Sequence, residues 1–99
     1  MCNLTIKQVD KEIIEKNKEV NGVEICKYYF IEEASELTKE LTKSMRGKEN
    51  KGDLIKEVAD VYYTLSMIVQ EYGITPEEIN EGIKFKETRA RRVLGLPPL

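Results

Sequence analysis

The chain has 99 residues, 34% of them charged and 40% hydrophobic, with a formal net charge of −2 and no histidine. The length suits one small domain, 1–99, and the weak net charge argues against nucleic acid or a membrane surface as a partner. The lack of histidine excludes a histidine-ligated zinc site and catalysis by an imidazole base. Because so short a chain buries a limited part of its surface, we expect it to form oligomers.

The two cysteines, Cys2 and Cys26, lack the spacing of a metal site. We predict that Cys26 packs as a small apolar residue, and a disulfide is the less favoured interpretation. The sequence contains no signal peptide and no apolar run that would cross a membrane. We therefore expect a reducing, cytoplasmic compartment.

The first predicted helix follows a capping box. Segment 5–8 (Thr-Ile-Lys-Gln) has a threonine at the cap and a glutamine three residues later, so it predicts a helix that runs to about Asn17. Asn21 and Gly22 then interrupt the helical pattern. Asn21 is a candidate N-cap for the helix that follows.

Two long helices joined by a short loop are predicted next. The second helix runs from about residue 22 to Met45, where Gly47 ends it. Segment 46–52 is polar and contains two glycines, which predicts a mobile loop. The third helix begins at or near Asp53 and ends at Tyr72. A short connection favours antiparallel packing of these two helices.

The fourth predicted helix has the clearest start. Thr75 stands at the N-cap, Pro76 at the first helical position and Glu78 at the third, which together predict a capping box. The helix ends near Val93, because the proline-containing tail 95–99 cannot continue it. With no strand signal or repeat in the sequence, the prediction is an all-α fold, a four-helix bundle completed by oligomerisation.

Two acidic pairs occupy the second and third predicted helices at the same spacing. They are Glu33 with Glu36, and Glu57 with Asp60. Residues three apart project from one face of a helix, one turn from each other. Four carboxylates that faced one another would repel strongly unless a cation lay between them. The pattern therefore predicts a divalent-metal site formed by these four residues.

The apolar pattern places both pairs beside the predicted core. The apolar stripes comprise Cys26, Phe30, Leu37 and Leu41 in the second helix, and Leu54, Val58, Val61, Leu65, Ile68 and Tyr72 in the third. Glu33 and Glu57 each lie roughly 40° from a stripe residue, on the same side of their stripes. If the two helices pack antiparallel, the acidic pairs converge.

A salt-bridge network is the alternative to a metal site. Four lysines on these helices could neutralise the acids: Lys27, Lys39, Lys43 and Lys56. Glu40 shares the face of Glu33 and is a further ligand, a base or, by default, an exposed residue. For a metal, all-oxygen ligands favour Mg²⁺, with Mn²⁺ as a substitute, and Mg²⁺ in turn favours phosphate chemistry.

The last predicted helix carries a basic stretch. Five cations stand against the single acid Glu87 in 84–92: Lys84, Lys86, Arg89, Arg91 and Arg92. Such a stretch either binds a polyphosphate or forms a solvated end that complements the helix dipole.

The acidic motif resembles that of the MazG-like branch of the all-α nucleoside triphosphate pyrophosphohydrolase superfamily. It reads Glu-Glu-x-x-Glu at 32–36 and Glu-x-x-Asp at 57–60, and the resemblance spans about residues 22–92. It implies a Mg²⁺-dependent dimer or tetramer that cleaves (d)NTPs between the α and β phosphates, to remove noncanonical or surplus nucleotides. The residues so implied are Glu33, Glu36, Glu57 and Asp60 for metal, and Lys86 and Arg89 for phosphates. The family pattern Lys-x-x-x-Asn-x-x-Arg is not reproduced in the last helix.

Several functional questions stay open at this point. Glu36 is our candidate general base. Within the superfamily, phosphoribosyl-ATP pyrophosphohydrolase is the alternative, because Asp60 and the residues after it are similar to its second motif, although the histidine expected after the tyrosine is missing. Two further alternatives are a noncatalytic helical oligomerisation module and a relative that binds nucleotides without cleaving them.

Overall fold

The computed structural model of the protein describes residues 6–98. It contains four helices and, in that range, no strand: α1 (Lys11–Asn21), α2 (Val23–Met45), α3 (Lys51–Glu71) and α4 (Pro76–Val93). The predicted all-α class is confirmed. None of the helices in the described range is long and apolar enough to cross a membrane.

Helix α1 lies later in the chain than predicted. The predicted cap, Thr5, lies outside the described residues, and residues 6–10 are not helical. Asp10 is the N-cap instead, and its side chain accepts a hydrogen bond from the Glu12 backbone N–H at 2.9 Å. The predicted end at Asn17 is wrong. The Asn17 side chain donates to the Tyr63 hydroxyl at 3.3 Å and so does not compete with the helical backbone, which continues to Asn21.

Helix α2 has nearly the predicted bounds but a different cap. Asn21 is the last residue of α1, and its side-chain amide donates to Asn17 Oδ1 at 2.7 Å. The predicted Asn21 cap is therefore wrong. Gly22 occupies the N-cap position with a φ of 86°, a conformation that residues with a Cβ rarely adopt.

The later helix boundaries follow local signals closely. Helix α3 begins at Lys51, two residues before the predicted Asp53, and ends at Glu71. Helix α4 has the predicted capping box: Thr75 accepts from the Glu78 backbone N–H at 3.1 Å, and the Glu78 carboxylate accepts from the Thr75 N–H at 2.9 Å. These two bonds satisfy N–H groups that the helix itself leaves free.

The antiparallel pair of α2 and α3 is the main packing unit, and α1 packs against α2. The core consists of Ile14, Cys26 and Met67, with Val9 and Tyr63 packed against it. Cys26 is a buried free thiol, so its predicted apolar role is confirmed. The core is small for a domain of this length.

Much of the predicted apolar surface stays exposed in the single chain. Along the two stripes, Leu41, Val58, Leu65 and Tyr72 are exposed. Helix α4 is exposed at every position except Arg91, which is half-buried. The radius of gyration of 16.5 Å exceeds the value of about 13 Å expected for a compact domain of this size. The chain is therefore more extended than a self-sufficient globular domain.

Candidate metal centre

Packing of α2 against α3 brings three carboxylates together. Glu33 of α2 and both Glu57 and Asp60 of α3 each offer one oxygen, and these oxygens lie within 4.8 Å of one another. Glu57 and Asp60 share a face of α3 because they are three residues apart. The predicted convergence of the two helices is thus realised for three of the four predicted acids.

Glu57 is the most buried of the three. Its exposed fraction is 9%, and its Oε2 is buried without a hydrogen-bond donor among residues 6–98. An unpaired buried carboxylate oxygen is costly, and native proteins usually pair such atoms with a donor or an ion. The three carboxylates offer hard oxygen ligands, and one of these residues, Glu57, has the unpaired oxygen. This set fits a cation such as Mg²⁺ or Mn²⁺.

The three acids perturb one another electrostatically. Burial raises the pKa of Glu33, and the neighbouring charges of Asp60 and Glu57 raise it further. Lys56 opposes this effect. In the absence of a cation, Glu33 therefore keeps its proton to higher pH than an isolated glutamate does.

Lys56 is the cation that contacts the cluster within the described range. Its Nζ lies 3.0 Å from Asp60 Oδ2 and 3.5 Å from Glu57 Oε1. The hydrogen bond and charge of Asp60 raise the pKa of Lys56. One exposed lysine leaves three clustered carboxylates undercompensated, and an exposed pair of this kind exchanges readily with solvent. The salt-bridge alternative is thus only partly realised.

Glu36 is exposed and lies outside the cluster. Its separation from Asp60 follows from the antiparallel packing. Moving three residues along α2 from Glu33 leads toward the connecting loop, whereas moving three residues along α3 from Glu57 leads away from it. The two positions therefore diverge by roughly 9 Å along the helix axes. Equivalent angles on the helical wheel do not capture this axial difference.

The predicted phosphate-binding residues form no salt bridge with the cluster among residues 6–98. Lys86 and Arg89 are exposed on α4. Among residues 6–98 the main helix packing is between α2 and α3 and between α1 and α2, so α4 is not packed along the helices that carry the carboxylates. Within one chain, the structure does not bring these two cations to the carboxylates.

Glu40 is buried, so the default prediction that it is exposed is wrong. Its Oε2 accepts a hydrogen bond from Asn50 Nδ2 at 2.8 Å, and its Oε1 lies 3.0 Å from Lys43 Nζ. The Asn50 hydrogen bond, followed by that of Lys43, lowers the pKa of Glu40. Sequence reasoning placed Glu40 on the correct face but assigned Asn50 to a mobile loop, and so missed the partner.

Comparison with known proteins yields one family. The sequence model described as phosphoribosyl-ATP pyrophosphohydrolase matches residues 4–87. That range contains all four predicted metal ligands and Lys86 but ends before Arg89. Neither a curated protein nor a solved structure matches the chain.

Proposed function

We propose that the chain hydrolyses (d)NTPs. It belongs to the phosphoribosyl-ATP pyrophosphohydrolase family, a group of nucleotide pyrophosphohydrolases within the MazG-like all-α superfamily. The products are the (d)NMP and pyrophosphate, and the role is the removal of noncanonical or surplus nucleotides. The observation that carries the proposal is the cluster of Glu33, Glu57 and Asp60, in which one buried oxygen lacks a donor among the described residues 6–98.

The three clustered carboxylates would hold Mg²⁺, or Mn²⁺ in its place. When bound, such a cation polarises phosphate oxygens and lowers the pKa of a coordinated water. Glu57 and Asp60 would supply ligand oxygens from α3, and Glu33 would supply one from α2. Lys56 Nζ lies 3.0 Å from Asp60 Oδ2 and would compete with a cation for that oxygen.

Glu36 is the proposed general base and a fourth candidate ligand. It is an exposed carboxylate one helical turn from Glu33, accessible to water and substrate. The sequence has no histidine, so a carboxylate is the side chain suited to accept the proton of the attacking water near neutral pH.

Lys86 and Arg89 are proposed to neutralise the β and γ phosphates and so favour the departure of pyrophosphate. Both are exposed on α4, and neither forms a salt bridge with the carboxylates among residues 6–98. We therefore propose that the active form is a homo-oligomer, a dimer or a tetramer. The exposed apolar side chains of α2 and α3 and the extended shape support this proposal.

The test is a direct assay of pyrophosphate release from a panel of canonical and modified NTPs and dNTPs, with Mg²⁺ or with a chelator. We expect Mg²⁺-dependent release from at least one nucleotide. Asp60→Ala and Glu36→Ala should abolish it, whereas Glu32→Ala, which removes an exposed acid beside the cluster, should retain it. Full activity in both Asp60→Ala and Glu36→Ala would remove the proposed site.

Phosphoribosyl-ATP is the second candidate substrate, because the description of the matching family names it. The histidine expected after the tyrosine of the second motif is missing, and for this reason we place NTPs first. A comparison of kcat/KM for phosphoribosyl-ATP and for each active NTP distinguishes the two. Release of pyrophosphate from neither class, by folded protein, would instead favour the noncatalytic oligomerisation module.

A further inference from the structure

A buried contact outside the carboxylate cluster joins the end of α2 to the start of α3. The Asn50 side-chain amide donates to Glu40 Oε2 at 2.8 Å and to the Glu40 backbone carbonyl at 2.9 Å. The exposed fractions are 5% for Asn50 and 9% for Glu40. We refer to this pair as the latch.

The latch uses a side chain that would ordinarily serve its own helix. Asn50 is the N-cap residue of α3, yet its side chain makes no capping hydrogen bond. An asparagine at this position normally accepts from an N–H in the first turn of its helix, which stabilises that helix. Here the amide reaches across to α2 instead. The Asn50 side chain therefore stabilises the contact between α2 and α3 instead of capping α3.

The Glu40 carboxylate of the latch has a partner on each oxygen. Lys43 Nζ lies 3.0 Å from Glu40 Oε1, so both carboxylate oxygens of Glu40 have partners. A buried carboxylate with partners on both oxygens is held in one position, because any displacement would leave a charged atom without a partner. This distinguishes Glu40 from Glu57, whose buried Oε2 has no donor among residues 6–98.

The latch and the cluster have the same spacing on both helices. Glu33 lies seven residues before Glu40 in α2, and Glu57 lies seven residues after Asn50 in α3. Seven residues are about two turns, or roughly 10.5 Å, on each helix. Because the helices are antiparallel, equal distances from the latch place Glu33 level with Glu57. A slip of one residue would shift one carboxylate by about 1.5 Å and turn it by about 100°.

We propose that Glu40 and Asn50 are positioning residues that set the register of α2 against α3 and thereby the affinity of the carboxylate cluster for a divalent cation. They are not ligands. This inference rests on the proposed metal-dependent function, and it concerns how the site is held rather than which substrate it cleaves.

The first test is Mn²⁺ binding by calorimetry, well below the Tm of each variant. We expect Asn50→Ala to weaken Mn²⁺ binding about tenfold, as removal of a supporting residue does at other metal sites. Glu40→Gln keeps an acceptor for the Asn50 amide and should bind Mn²⁺ much as the unsubstituted protein does. Asn17→Ala, which removes the hydrogen bond to Tyr63, is the destabilised control with unchanged affinity.

The Mg²⁺ dependence of turnover distinguishes a positioning role from a contact that only stabilises the fold. In Asn50→Ala the Mg²⁺ concentration for half-maximal activity should rise, while kcat at saturating Mg²⁺ stays near that of the unsubstituted protein. Equal Mn²⁺ affinity in Asn50→Ala and the unsubstituted protein would overturn the positioning role alone. No Mn²⁺ binding by the unsubstituted protein would remove the proposed metal site and the positioning role together.

A second measurement tests the register without metal. Spin labels at the exposed positions Ser35 of α2 and Ile55 of α3, in a chain with Cys2→Ser, report the distance between the two helices. Cys26 is buried and free, and so is protected from labelling. Asn50→Ala should broaden or shift the distance distribution, whereas Asn17→Ala should not. An unchanged distribution in Asn50→Ala would overturn the register mechanism.

Discussion

At the scale of single residues, the carboxylates of Glu33, Glu57 and Asp60 lower the stability of the metal-free protein while they form the proposed metal site. Glu57 is buried close to Glu33 and Asp60, with one oxygen that has no donor in the part of the chain that the structure describes, and this arrangement destabilises the metal-free protein. The same arrangement gives a cation three oxygen donors without further rearrangement. The buried charge of Glu57 destabilises the metal-free protein, but the same charge would stabilise the protein once a cation is bound by the three carboxylates.

Glu57→Gln separates these two effects. An amide in place of the buried carboxylate removes one of three like charges and offers a donor to its neighbours, so metal-free stability should rise by about 1 kcal/mol. The increase in Tm on addition of Mg²⁺ should disappear. Thermal unfolding with Mg²⁺ and with chelator checks both expectations. Glu32→Gln, an exposed neighbour on α2, is the matched control and should change neither. A lower metal-free Tm together with an intact Mg²⁺ response would contradict the assignment.

The raised pKa of Glu33 makes Mg²⁺ stabilisation depend on pH. In the folded, metal-free protein Glu33 holds its proton to higher pH than it does in the unfolded chain, where the pKa of a glutamate is about 4.3. Its contribution to metal-free stability is therefore present below that pH and is lost as pH rises through the raised pKa. Mg²⁺ competes with that proton, so the Mg²⁺-induced rise in Tm should grow over the same interval. A Tm series in steps from pH 4 to pH 8 measures it, and a rise independent of pH would oppose this account.

At the scale of elements, α4 differs from the other helices. Its start is determined by the capping box of Thr75 and Glu78, and its side chains are almost all exposed. Most of the stability of a helix in a protein comes from packing of one face rather than from the helix propensity of its residues, and α4 has almost no packed face in the single chain. In a single chain, α4 therefore depends on its cap to a degree that the packed α2 and α3 do not.

Thr75→Ala tests that dependence. Loss of the threonine side chain removes the hydrogen bond from the Glu78 N–H and should cost about 1 kcal/mol of helix stability. Amide hydrogen exchange should quicken along α4, whereas the amides of α2 and α3 serve as an internal control and should keep their protection. An equal loss of protection in α3 would indicate that α4 is coupled to the helix pair.

At the scale of the whole molecule, the chain leaves much apolar surface uncovered. Three apolar residues are buried among 6–98, and the radius of gyration is 16.5 Å. The exposed apolar residues Leu41 and Leu65 belong to stripes that the sequence assigned to the interior. These features support the proposed homo-oligomer, in which a second copy would cover the stripes.

Leu41→Glu should weaken self-association. A charge introduced on the exposed apolar stripe of α2 would be buried without a partner in an oligomer, at a cost of several kcal/mol. Light scattering coupled to size exclusion should show a shift from a multiple of 11.4 kDa toward the mass of one chain. Ser35→Glu adds the same charge at another exposed position on α2 and should retain the larger mass. A monomeric unsubstituted protein would contradict the proposal.

The features that the sequence predicted correctly depend on bonds between near neighbours. The capping box at Thr75 and the all-α class involve residues a few positions apart, so their physics is local. The stop at Gly47 is local as well, since a φ of 90° suits glycine. The acidic motif identified the superfamily for a similar reason, because its spacing encodes one face of each helix.

Only the tertiary structure decided which side chains meet. Matching wheel angles predicted four ligands, yet antiparallel packing brings Asp60 to Glu33 and leaves Glu36 outside the cluster. The burial of Glu40 depends on Asn50, ten residues away across a loop whose conformation no local pattern indicated. Sequence periodicity gives the angle of a side chain around its helix. Which side chains of the neighbouring helix lie level with it depends on the direction and register of that helix. Direction and register arise from packing between residues that are distant in the chain.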